Sequence, residues 1–127
     1  MPESFEPLAQ LSPASLAYIG DAVYELYIRR YYLLPPKRIK DYHERVVAQV
    51  RAETQAHFLT LLEPDLTPTE QEVLRKGRNG ATGKPRRLSA HIYQRATSLE
   101  TLIGYLYLTD PPRLEFLLSK LSLLLVL

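Results

Sequence analysis

Proline placement constrains this chain more than any other feature of its sequence. The ten prolines stand at Pro2, Pro7, Pro13, Pro35, Pro36, Pro64, Pro68, Pro85, Pro111 and Pro112, with long proline-free stretches between them. Proline lacks an N–H and clashes with the preceding turn, so it starts or stops helices and is excluded from their interiors. The intervals should therefore be helices joined by short turns. Ser12-Pro13 puts a capping hydroxyl before a proline at the first helical position, followed by Leu16, Ile19, Val23 and Leu26 at helical spacing, which predicts a long helix from about Pro13 to Leu34. A second helical region is expected from about Lys40 to Leu62, with Val46, Val47, Val50 and Leu59 on its apolar side and a weakening of the pattern near Glu53. Thr67-Pro68-Thr69-Glu70 is a capping box that should open a short helix ending near Lys76 at Gly77. Arg78 to Ser89 then reads as loop, because Asn79-Gly80, Gly83 and Pro85 are turn chemistry. A helix from about Ala90 to Leu108 and a last one opened by Pro111-Pro112, with leucines at 114, 117, 118, 121 and 125, complete an all-α chain with no convincing strand.

The length of 127 residues and 46% apolar content suit one domain, 1–127, with a core of its own. The absence of cysteine excludes disulfides, thiolate metal sites and a cysteine nucleophile, and makes a reducing cytosol the expected setting. Any metal must sit on oxygen or imidazole. The start, Met1-Pro2-Glu3-Ser4-Phe5-Glu6, does not read as a signal or transit peptide, and the apolar run from Leu121 to Leu127 is too short to span a bilayer. No membrane association is expected.

The net charge of +2 conceals a division along the chain. Between Val73 and Leu99 there is no acid but seven bases: Arg75, Lys76, Arg78, Lys84, Arg86, Arg87 and Arg95. The rest of the chain carries nine basic and fourteen acidic residues. Such a segment is either a solvated basic loop or a contact for a polyanion.

Two of the predicted helices combine an interior glycine with an acid: Gly20 with Asp21 in the first, Gly104 with Glu100 in the fifth. Glycine inside a helix costs about 1 kcal/mol relative to alanine, so another backbone is expected to approach closely there. Asp21 and Glu100 both lie in apolar surroundings, where a carboxylate needs a partner or a cation. An ion pair such as Asp21 with Arg95, or Glu25 with Arg29, is the plain alternative to a metal. His43, His57 and His91 show no metal-ligand spacing and suit surface or capping roles. Tyr18, Tyr24, Tyr27 and Tyr31 are spaced to pack a core or a dimer seam rather than to stack on bases.

The wording of these segments goes further. The run from Leu16 to Glu25, Leu-Ala-Tyr-Ile-Gly-Asp-Ala-Val-Tyr-Glu, resembles the signature helix of the ribonuclease III endonuclease domain, and the run from Leu99 to Leu108 resembles the second acidic motif of that family. Their order and separation, the basic run Val73 to Asn79, and a length without room for a double-stranded-RNA-binding domain resemble the Mini-ribonuclease III subfamily. That resemblance implies a ribonuclease III-like helical bundle in which Asp21 and Glu100 are catalytic metal ligands. Full-length ribonuclease III usually has acids where this chain has Ala17 and Thr97, and Asp41 falls near a further family acid. Two carboxylates with waters and phosphate oxygens suit Mg2+, which would assist hydrolysis of a phosphodiester to a 5′ phosphate and a 3′ hydroxyl. The implied substrate is double-stranded RNA, in particular the stem of 23S ribosomal RNA precursor. A ribosomal protein is a possible accessory partner, and the bacterial cytoplasm or a plastid stroma is the implied location. The basic residues would lie along the phosphate backbones. A homodimer is implied too, and agrees with the several apolar faces of the first helix, for which a chain this short has little room as a central helix. The rival is a non-catalytic duplex-RNA-binding or ribosome-associated protein of the same fold. A helical protein-interaction module would account for the leucine-rich end but not for the acid-free basic segment.

Overall fold

The capping signals act where they stand in the sequence. In the computed structural model, which describes residues 10–81, 88–123 and 125, α1 spans Pro13–Tyr31 and its Ser12 Oγ accepts the Ser15 N–H at 3.1 Å. The helix stops at Tyr31 and not at Leu34, because a residue before proline is driven out of the helical region and Pro35 follows Leu34. The Lys37 ammonium binds the freed Tyr32 carbonyl and the Pro35 carbonyl.

The predicted second helical region is two helices, α2 at Ile39–Val50 and α3 at Ala52–Leu62, broken by an extended Arg51 (φ −72°, ψ 157°), two residues before Glu53. Three consecutive carbonyls at the end of α2 would be orphaned by this break. Each is taken by a side chain: Ala48 by the Thr54 hydroxyl at 2.9 Å, Gln49 by the Tyr24 hydroxyl at 2.8 Å, and Val50 by the Gln55 amide at 3.0 Å.

After a 3-10 turn at Glu63–Asp65, α4 runs over Pro68–Gly80 with both halves of its capping box formed. It does not stop at Gly77. That glycine is buried inside the helix, against Thr101 and Ser98, so it serves packing rather than capping, and Arg78 to Gly80 are helical rather than loop. The expected loop residues 82–87 lie outside the described residues. Ala90–Thr109 forms α5, capped by Ser89, and Pro111–Ser119 forms α6, capped by Asp110, with a 3-10 turn over Lys120–Leu123.

Every regular element among the described residues is helical, and α5 is the central one. It packs against α1, α3, α4 and α6 and buries Ala96, Ser98, Leu99, Thr101, Leu102, Ile103, Gly104 and Leu106. The chain thus does contain a central helix, contrary to the expectation from its length, but it is the fifth and not the first. Around it Tyr24, Ile28, Phe58, Leu62 and Leu121 are fully buried, each contributing on the order of 2 kcal/mol by removal of apolar surface from water. A partly buried ion pair ties the starts of α4 and α6: the Arg113 guanidinium meets the two oxygens of the buried Glu70 at 2.8 Å each and the Asp65 carbonyl at 2.7 Å. Arg113 holds the Glu70 carboxyl below the usual range. By contrast, α1 leaves Tyr18 85% and Leu26 58% exposed. No helix among the described residues is long and apolar enough to cross a membrane.

Candidate active site

The crossing of α1 and α5 is possible only with glycine. A Cβ on Gly20 would lie 1.8 Å from the Glu100 carbonyl oxygen, and one on Gly104 would lie 2.0 Å from the Leu16 carbonyl oxygen. The two interior glycines therefore let each backbone rest on the other, the role expected of them. The same contact sets Asp21, next to Gly20, beside Glu100, so that the two carboxyls lie within hydrogen-bonding reach of one another.

Asp21 is exposed and Glu100 is partly buried. Burial pushes the Glu100 carboxyl up to about 8, and the Asp21 carboxylate beside it pushes in the same direction. The Gln55 amide, whose Nε2 donates to Glu100 Oε2 at 3.4 Å, opposes the shift. Neither carboxylate takes part in any ion pair formed among the described residues. Of the alternative pairings, Glu25 does bind Arg29 on the surface, whereas Arg95 does not reach Asp21: it is held by Glu63 at 2.9 Å and the Thr60 hydroxyl at 2.8 Å.

A cleft of about 270 Å³ opens over the pair. Ala17 and Thr97, where the resembling full-length enzymes carry further acids, line it together with Asp21 and Glu100. Its far wall is the end of α4, Gly77, Gly80 and Ala81, with Gly80 against Pro13. The acid-free segment is thereby anchored at the rim, and Lys76 and Arg78 are exposed on the last turns of α4. Arg75 is also exposed but paired with Glu72. Lys84, Arg86 and Arg87 lie outside the described residues.

Asp41 stands apart from the pair. It sits in the first turn of α2 and lines a separate cavity with Lys37, Glu44 and Arg45, so within one chain the fold does not carry it to the cleft. No cluster of three or more potential metal-ligating His, Cys, Asp or Glu exists among the described residues. His43, His57 and His91 are exposed.

Gln55 was not singled out from the sequence, although a signal was present. It occupies the first place of an i, i+3, i+4, i+7 stripe completed by Phe58, Leu59 and Leu62, and a polar residue on such a stripe needs a partner.

Comparison with known proteins finds relatives along most of the chain. Residues 14–111 match the Ribonuclease III domain family. Over 122 residues the chain is 56% identical to Mini-ribonuclease 3 of Synechocystis sp., covering 96% of this chain and 85% of that protein. Mini-ribonuclease 3 of Thermosynechococcus vestitus is 53% identical over 116 residues, or 91% of this chain and 77% of the relative. The X-ray crystal structure of a Fusobacterium nucleatum protein superposes with a TM-score of 0.81 at 30% identity, covering 87% of this chain and 92% of that one.

Proposed function

The chain belongs to the ribonuclease III family, in its Mini-ribonuclease 3 group, and is thus an endoribonuclease; we propose that it cuts double-stranded RNA by Mg2+-assisted hydrolysis at Asp21 and Glu100. One observation carries the assignment of the site: a glycine-glycine helix crossing forces two carboxylates together, in a cleft, with no ion-pair partner among the described residues to neutralise them. Like charges so placed repel unless a cation or a proton intervenes. The donor set is all oxygen, which fits a hard dication that keeps part of its water shell. Asp21, on the open side, and Glu100, set deeper and held by Gln55, would hold the ion. When bound, Mg2+ supplies a nucleophilic water at neutral pH and charge compensation for the leaving 3′ oxygen, giving 5′ phosphate and 3′ hydroxyl ends.

The remaining residues bind and orient. Lys76 and Arg78, exposed on the last turns of α4, with Lys84, Arg86 and Arg87 in the segment that follows, supply positive charge for phosphates, the dominant handle on duplex RNA. Arg75 and Arg95 are engaged with acids and contribute through charge alone. The exposed Tyr18 and Leu26 on α1, beside the pair, suit the seam of a two-fold homodimer that addresses both strands of a duplex. The substrate we assign is the stem of 23S ribosomal RNA precursor, processed in the cytoplasm.

Incubation with end-labelled duplex RNA, in Mg2+ or in chelator, tests this reading. Wild-type protein should cleave in Mg2+ only, whereas Asp21→Asn and Glu100→Gln should bind without cleaving, because a neutral amide is a poor ligand for Mg2+. Retention without cleavage by the wild type would make the protein a binder and not a nuclease. Light scattering should give twice the 14.6 kDa chain mass, and a monomer cutting both strands would remove the dimer.

A further inference from the structure

Gln55 is 2% exposed, on the buried face of α3, where an apolar side chain would fill the space without a polar group to satisfy. Its Oε1 is buried and accepts no hydrogen bond, which disfavours the folded state. Its two amide protons are nevertheless both directed. One goes to the Val50 carbonyl at 3.0 Å, closing the end of α2, and the other goes to Glu100 Oε2 at 3.4 Å. The second contact is long for an N–H···O bond, so it orients the carboxylate more than it binds it.

From this geometry we propose that Gln55 is a positioning residue: its amide, locked by the Val50 carbonyl, aims the Glu100 carboxylate into the cleft in the orientation that receives a divalent cation. An amide is the suitable group, since it donates to an anionic carboxylate without neutralising it, whereas a lysine or arginine would replace the cation. The α2–α3 corner is thus coupled to the site. Thr54 and Tyr24 close the neighbouring carbonyls of the same corner without a hydrogen bond to Glu100, so Gln55 is the member that links the two. Groups that orient a metal ligand from behind typically change metal affinity or activity by about 10- to 100-fold when removed.

The inference rests on the metal-site reading above, and the experiment separates the two. Mn2+ binding to RNA-free protein is measured by electron paramagnetic resonance, alongside kcat, KM and duplex binding in chelator, for wild type, Glu100→Gln, Gln55→Met, Gln55→Asn and Thr54→Val. Gln55→Met keeps length but removes both amide atoms, and Thr54→Val removes only a sister bond of the corner. For Gln55→Met we expect an Mn2+ affinity and a kcat lower by about 10-fold or more, with duplex binding in chelator and melting temperature near wild type. Thr54→Val should leave Mn2+ affinity and kcat within about twofold of wild type, far from the roughly 10-fold losses expected of Gln55→Met. If Gln55→Met retains wild-type Mn2+ affinity and kcat, or if Thr54→Val loses as much as Gln55→Met, the positioning role is overturned. It is overturned equally if both Gln55 variants fail to fold, since Gln55 is then a structural cap. Should the wild type itself bind no Mn2+, or Glu100→Gln bind as the wild type does, the metal-site reading fails, and the inference with it.

Discussion

Replacing Glu100 with glutamine should stabilise the metal-free protein while removing its activity, and the structure sets the size of the effect. Glu100 is a carboxyl whose folded-state pKa is raised, from 4.5 to about 8, by burial first and by Asp21 second. The folded protein therefore holds a proton that the unfolded chain releases, throughout the window from about pH 4.5 to about pH 8. Over that window stability falls as pH rises, at up to about 1.4 kcal/mol per pH unit. By neutral pH the ceiling is roughly 3 kcal/mol, and screening by solvent at the open side of the pair reduces it to about 1–2 kcal/mol. Glutamine has no such proton to lose, and its amide donates to Asp21 where a carboxylate repels it. In chelator at pH 8, scanning calorimetry should find Glu100→Gln melting about 4–8 °C above the wild type. The gap should close toward pH 5. Adding Mg2+ should raise the wild type and leave the variant unchanged, by linkage to binding. A variant that melts at or below the wild type at pH 8, or a gap that does not narrow in acid, would refute the reasoning.

Other expectations follow from individual residues. Gly20→Ala places a methyl group 1.8 Å from a backbone oxygen, so α1 and α5 must separate; a loss of about 3 kcal/mol or more in urea denaturation is expected, and cleavage should go with it. Gly77→Ala meets the Thr101 hydroxyl at 2.6 Å, Thr101 Cβ at 2.8 Å and Ser98 Cα at 3.0 Å, a less severe overlap than the 1.8 Å at Gly20, and should lose less in the same titration. Arg113→Met strands Glu70 in the core at a cost of about 3 kcal/mol near neutral pH. Because Arg113 lowers the Glu70 pKa, the stability it lends is present above the ordinary carboxylate range and lost as pH falls, so wild type and variant should converge in acid denaturation curves. Changing Lys84, Arg86 and Arg87 together to glutamine should flatten the salt dependence of duplex-RNA binding by about one logarithmic unit of slope for each phosphate that is no longer neutralised; an unchanged slope would place the duplex elsewhere.

What the sequence by itself determined are features settled within one turn of helix. Ser12-Pro13, the Thr67 to Glu70 capping box and the prolines at 111 and 112 start helices wherever they stand, because their partners are three residues away. The glycines beside the two acids announced a close backbone approach, since an unfavourable residue inside a helix needs a compensating contact. Only the tertiary structure decided the rest. Gly77 carries a stop signal that the helix overrides, because the surface of α5 at Thr101 leaves no room for a larger residue and rewards continued packing. Arg95 and Asp21 are a plausible pair in sequence, but the fold puts Glu63 nearer to that guanidinium and Glu100 nearer to that carboxylate. The apolar stripe of α3 marks Gln55 as a polar residue in need of a partner, but only the fold shows that the partners are Val50 and Glu100. Propensity and capping act over about four residues, whereas the company a charged or polar group keeps depends on which distant element is brought within about 3 Å of it.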